Sequence, residues 1–141
     1  AAGLRRMGWV GRASQFIPVE ILLPAVGQGV LGIEIREDDE ELRDIVAALQ
    51  HSATWIAAGA ERAFLQRLGG GCQLPIAAYG KIEQKILKLR ALVGNPDGRF
   101  VVRDEVTGPP EEFTALGGML ADKILVQGGE AILNEIRKET I

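Results

Sequence analysis

The segment Ile86-Leu87-Lys88-Leu89-Arg90-Ala91-Leu92-Val93 decides the fold. Leu87, Leu89, Ala91 and Val93 alternate with Lys88 and Arg90, so as a strand it has one apolar face and one charged face. Asn95-Pro96-Asp97-Gly98 follows, with proline second and glycine last, the pattern of a β-turn. Another strand is expected beyond it, over about Arg99 to Val106, and one ahead, over about Ile76 to Glu83. Three consecutive strands joined by short turns predict an antiparallel meander. With one face polar, the other must be covered by helices. The expected class is therefore α+β, with helices on one face of a three-stranded antiparallel sheet.

The flanking segments supply those helices. Ser52 can cap a helix whose apolar face is Ile56, Ala60, Ala63, Phe64 and Leu68, with Glu61, Arg62 and Gln66 turned away. Gly69 is its natural stop. Beyond the sheet, Gly108-Pro109-Pro110 breaks the last strand, and Pro110 with Glu111 and Glu112 opens a second helix. Phe113, Leu116, Leu120 and Ile124 form its inner stripe. Gly128-Gly129 separates it from a last helix carrying Ile132, Leu133 and Ile136.

Residues before about 48 read as pieces that do not close a unit of their own. Ala1 to Gly8 resembles the end of a helix, with Arg5 and Arg6 at its C-terminus and Gly8 as the stop. Such a beginning suggests a piece of a longer protein. Val19 to Leu23 is expected as a strand ended by Pro24, and Val30 to Arg36 is β-like. Asp38, with Glu41 three residues on, suits a helix start, and Leu42, Ile45, Val46 and Leu49 would form its buried stripe.

Composition bounds the function. The chain has 141 residues, 47% of them hydrophobic and 25% charged, with a net charge of −3. That balance argues against general nucleic-acid binding, which needs a basic face. No apolar run is long enough to predict a membrane-spanning helix. One cysteine cannot form an internal disulfide, so a reducing, cytoplasmic setting is expected. His51 has no second histidine to share a metal and is expected to be exposed or capping. No metal site is expected.

Two glycine-rich stretches stand out. Gly27, Gly29 and Gly32 spell GxGxxG, but the following Val30 to Arg36 is not a helix start, so a pyrophosphate would find no helix N-terminus. A close backbone crossing beside a ligand or another strand explains them better. The second stretch, Gly69-Gly70-Gly71-Cys72-Gln73-Leu74-Pro75, places the single thiol after three glycines. A free cysteine is most often a small buried hydrophobe, yet here the neighbours strip away side chains and let something approach.

Leu23-Pro24-Ala25-Val26-Gly27-Gln28-Gly29 with Gly32-Ile33-Glu34 and Arg36, then Glu61-Arg62-Ala63-Phe64-Leu65 and Gly70-Gly71-Cys72-Gln73-Leu74-Pro75-Ile76, resemble the porphobilinogen deaminase family. Ala1-Ala2-Gly3-Leu4-Arg5-Arg6-Met7-Gly8 extends the likeness, which covers essentially the whole chain. The resemblance implies a three-domain parent. Residues 1–23 would end its second domain, 24–47 would return to the first, and 48–141 would be the C-terminal domain, where the cofactor is attached. It implies a transferase that condenses four porphobilinogen units into hydroxymethylbilane with loss of ammonia, in tetrapyrrole and heme biosynthesis. Cys72 would carry the dipyrromethane cofactor through a thioether, beside Gly71. Arg6 would hold a pyrrole carboxylate, with Gly3 next to it, and Gln28 and Gly29 would line the cleft.

The resemblance also places the catalytic aspartate, and most of the pyrrole-binding residues, in a missing N-terminal part. This chain alone is then expected to be inactive and to carry no catalytic residue. None of Asp38, Asp39, Asp97, Asp104 or Asp122 sits in the family's catalytic motif. Ile35 stands where relatives often have another cysteine, away from the cofactor position. The implied partners are porphobilinogen and the missing N-terminal part, in a monomeric parent. The alternative from a different class is a free-standing α+β module that binds a ligand or protein, in which Cys72 would stay a free thiol.

Overall fold

The computed structural model describes residues 1–70 and 74–139. Its helices are α1 (Ala2–Arg6), α2 (Glu40–Ala47), α3 (Ser52–Arg67), α4 (Phe113–Ile124) and α5 (Glu130–Glu139), and its strands are β1 (Ile76–Glu83), β2 (Ile86–Gly94) and β3 (Val101–Gly108). The strands form one antiparallel sheet in the order β1-β2-β3, as the alternation predicts. Ala78 lies opposite Ala91 and Leu89 opposite Val106. This register gathers Ile76, Ala78, Leu87, Leu89, Ala91, Val93 and Val106 on the face covered by α3 and α4. On the other face Glu105 takes Lys88 at 3.4 Å and Arg90 at 3.6 Å.

The core lies between that sheet and the helices. Phe64 of α3, Leu120 and Ile124 of α4 and Leu133 of α5 are fully buried with Leu87, Leu89 and Val93. Gly117 lets α4 approach α3 backbone to backbone. A Cβ there would overlap the Ala60 carbonyl oxygen and lie 2.8 Å from Ala63 Cβ and 2.9 Å from Phe64 N. Gly128, at φ 115°, kinks the chain between α4 and α5, where the paired glycines predict a break.

Other expectations are corrected. β3 begins at Val101 rather than Arg99, because the turn closes wider: Asn95 N–H donates to Phe100 O and Asn95 Oδ1 accepts from Phe100 N. Val19 to Leu23 is not a strand. The N–H groups of Ile21 and Leu22 both donate to Pro18 O, which curls the segment into a turn. Val30 to Arg36 has no ladder partner among the described residues and forms no strand. α2 is capped by Asp39, whose Oδ1 accepts from Leu42 N at 3.1 Å, not by Asp38. Its apolar stripe is exposed rather than buried, Ile45 by 60% and Leu49 by 69%, because no described element covers it. α3 is capped by His51 instead of Ser52. Nδ1 of His51 accepts from Thr54 N, so the histidine is a capping residue.

Candidate cofactor site

The glycines around the cysteine run have separate tasks. Gly69 ends α3 at φ +62°, a conformation that favours glycine. Gly70 is packed closely: a Cβ there would meet Leu65 Cδ1 at 2.7 Å and Ile76 Cδ1 at 2.9 Å. Arg137 of α5 reaches back to the open end of α3, and its Nη2 donates to Leu68 O at 2.7 Å and Gly69 O at 3.3 Å. A cation at a helix C-terminus also suits the dipole. On the far side, Pro75 O accepts from Gly94 N at 3.0 Å, tying the return of the chain to β2. The run is therefore anchored where it leaves α3 and where it enters β1. Gly71 and Cys72 themselves lie outside the described residues.

The second stretch docks on β1. Ala78 N–H donates to Pro24 O at 3.2 Å. Gln28 N donates to Ala25 O and Val30 N to Gly27 O, which folds residues 25–30 into two successive turns. Gly27 and Gly29 have φ of +70° and +81°, and a Cβ at either would meet open space. They are glycines for conformation, which fits the reading of a backbone crossing. Val26 packs against the core. The Gln28 side chain is exposed.

Glu61 joins the second stretch to β1. It is the buried charged side chain of the described residues, at 6% exposure. Its Oε2 accepts from Gly27 N at 2.7 Å and its Oε1 from Gly80 N at 2.8 Å. Burial pushes this carboxyl above its ordinary range, against the pull of the two N–H donors. The expectation that Glu61 is turned away from the apolar face is thus wrong. The signal was its spacing. Ala57, Glu61, Phe64 and Leu68 fall at i, i+4, i+7 and i+11 on one helical face.

Gly3 and Arg6 stand apart. Both are exposed on α1, which is followed by Gly8 at φ +69°. Neither Arg5 nor Arg6 has a carboxylate partner among the described residues, and no hydrogen bond joins α1 to the Gly27–Gly29 turn there. The structure ties Pro24 to β1 and Gly27 to Glu61, just ahead of Gln28 and Gly29, and no hydrogen bond among the described residues joins this turn to Gly3 or Arg6.

These groups suit an anionic organic cofactor. Unpaired guanidinium groups bind carboxylates, and glycine turns with open space let a planar group lie against backbone. The described residues hold no cluster of metal ligands, and no described helix is long and apolar enough to cross a membrane.

The family model described as "Porphobilinogen deaminase, C-terminal domain" matches residues 55–126, and "Porphobilinogen deaminase, dipyromethane cofactor binding domain" matches residues 1–44. The porphobilinogen deaminase of Syntrophus aciditrophicus is 47% identical over 136 residues, which is 96% of this chain and 44% of that protein. That of Chlorobium chlorochromatii is 48% identical over 141 residues, 97% of this chain and 45% of the relative. That of Geobacter metallireducens is 45% identical over the whole chain and 44% of its own length. The chain thus spans a little under half the length of these relatives. With a family model over half its residues and close identity along nearly all of them, the chain belongs to the porphobilinogen deaminase family.

Proposed function

We propose that this chain is the C-terminal part of the transferase that condenses four porphobilinogen units into hydroxymethylbilane with release of ammonia. In this reading residues 1–23 end the second domain, 24–47 belong to the first, and 48–141 form the cofactor-attachment domain. The observation that carries it is the cysteine run in a chain of this family, anchored by Arg137 on one side and by the Pro75–Gly94 bond on the other. A mobile thiol would be of little use for holding a growing substrate, whereas a fixed base with a glycine-rich tip allows both attachment and reach.

When bound, a dipyrromethane supplies the primer on which the pyrrole chain is extended. The residues of this chain act around it. Cys72 holds it by a carbon–sulfur bond, which resists water better than a thioester. Arg6 pairs with a pyrrole carboxylate, and the backbone N–H groups at Gln28 and Gly29 offer further donors. The proton transfers fall to groups in the remainder of the parent, so this chain alone does not turn over. In this reading the parent is cytoplasmic and monomeric; the single cysteine of this chain fits a reducing setting, and its net charge of −3 argues against general nucleic-acid binding.

The test is an intact-mass measurement on the full-length parent and its Cys72→Ser variant. The parent is expected to carry the mass of two linked pyrroles, and the variant to carry none and to have no turnover. The same substitution in the 141-residue chain is expected to leave its unfolding midpoint unchanged. A Cys72→Ser parent with normal turnover would end this reading and favour a binding module with a free thiol.

A further inference from the structure

Glu61 does something no packing role requires. A buried carboxylate is costly unless its oxygens are satisfied. Both oxygens of Glu61 are satisfied by glycine backbone, from two segments far apart in sequence. One is Gly80, in the middle of β1. The other is Gly27, at the head of the turn that carries Gln28 and Gly29. The helix cannot slide to change this reach. Ala57 precedes Glu61 by one helical turn and presses on the same strand, where a Cβ at Gly80 would lie 3.0 Å from Ala57 O and 3.1 Å from Ala57 Cα. Pro24 O, bonded to Ala78 N, is the second tie along β1. The turn's remaining backbone bonds are local, from Gln28 to Ala25 and from Val30 to Gly27.

We propose that Glu61 is a positioning residue for the reaction. Ionised, it pins the Gly27–Gly29 turn to the strand that follows the cysteine run, so that loading of Cys72 and turnover depend on a side chain whose own oxygens are occupied by backbone. The proposal rests on the reading that Cys72 carries the cofactor and that Gln28 and Gly29 line its site.

Chemistry supplies a sharp variant. A carboxylate offers two acceptors, whereas a carboxamide of nearly the same shape offers one acceptor and one donor group. In Glu61→Gln one of the two glycine N–H groups must therefore face an N–H. The experiment compares the full-length parent with its Glu61→Gln variant by amide hydrogen exchange, by the mass of adduct on Cys72, and by kcat and KM. Exchange at Gly27 or at Gly80, whichever N–H is left facing the carboxamide N–H, should rise by about tenfold or more, as expected for loss of a hydrogen bond to a charged group, while Leu89 and Val93 of β2 keep their protection. The loaded fraction and kcat should fall together, with KM changed less. If Gly80 is the amide released, or if the variant fails to fold, an ester in place of the Gly27 amide removes the donor to Oε2 and should lower the loaded fraction and kcat together. Unchanged exchange at both glycines, or normal loading and kcat in the Gly27 ester, would overturn the proposal. So would a freed Gly27 with normal loading and kcat, or an equal loss of protection throughout β2. A wild-type parent with no pyrrole mass on Cys72 would instead refute the attachment reading, and the exchange at Gly27 would still report on the tie itself.

Discussion

At the scale of single residues, similar side chains do opposite things according to their surroundings. Asp104 accepts from Glu105 N at 2.7 Å and from Gln127 Nε2 at 2.7 Å. These bonds, the backbone one foremost and then the Gln127 side chain, with Lys123 nearby, hold its carboxyl below the ordinary range. Asp39 is lowered too, first by Arg36 and then by Leu42 N. For both, the contribution to stability is complete above the ordinary aspartate value and is lost as pH falls through the depressed one. Glu61 has the opposite sign. Its raised value means that the cost of keeping it ionised is absent below the ordinary glutamate range and grows as pH rises through the folded-state value. Asp104→Asn is therefore expected to flatten the acid limb of a plot of urea midpoint against pH, below about pH 4. An unchanged slope there would show that the Gln127 and Glu105 bonds do not select the ionised form. Among these groups only Asp39 lay in a segment legible as a helix start. Glu61 was missed because a charged letter in an apolar stripe was assigned to the solvent side, although its phase matched Phe64 and Leu68.

At the scale of elements, what was legible followed periodicity that the structure fills with packing. The β2 alternation, the α4 stripe and the glycine break before α5 all correspond to buried contacts. The failures share another cause. Val19 to Leu23, Val30 to Arg36 and the α2 stripe are apolar without a described partner, and an unpartnered apolar run has no ladder or neighbour to fix its form. The α3–α4 crossing was not legible at all, since Gly117 reads as an ordinary helix glycine until the facing backbone is known. Gly117→Ala should destabilise the chain by about 3 kcal/mol, near the upper end for overpacking because the obstacle is backbone. Thermal unfolding should show it as a fall in Tm of about 10 °C. A fall of only one or two degrees would mean the helices separate easily. Gly118, with nothing within 4 Å of its added Cβ, is the control and should tolerate alanine.

At the scale of the whole molecule, two surfaces differ. The sheet and its helices enclose a continuous core, whereas residues 21–49 present Ile21, Leu22, Leu31, Ile33, Ile45 and Leu49, each more than half exposed. The 141-residue chain is expected to associate as its concentration rises, through this apolar surface. Sedimentation velocity over a hundredfold range of concentration tests it, and Ile45→Lys with Leu49→Lys should restore the monomer. A monomer at all concentrations in the unsubstituted chain would show that the surface is not adhesive. The division into three parent domains was suggested by the resemblance rather than by any composition shift, and the part of the site that depends on Arg6 rests on it still. What the physical reading of residues did supply was the docking of a glycine crossing beside another strand.

That docking has a consequence for the fate of the chain. β1 is a border strand of its sheet, and such a border offers free N–H and C=O groups to any extended peptide that drifts near. Here the N–H of Ala78 is taken by Pro24 and that of Gly80 by Glu61. A proline-led segment lies where a foreign strand would add, and proline is a poor template for further pairing. The contact that ties a turn to β1 also shields the sheet from growing into an intermolecular one.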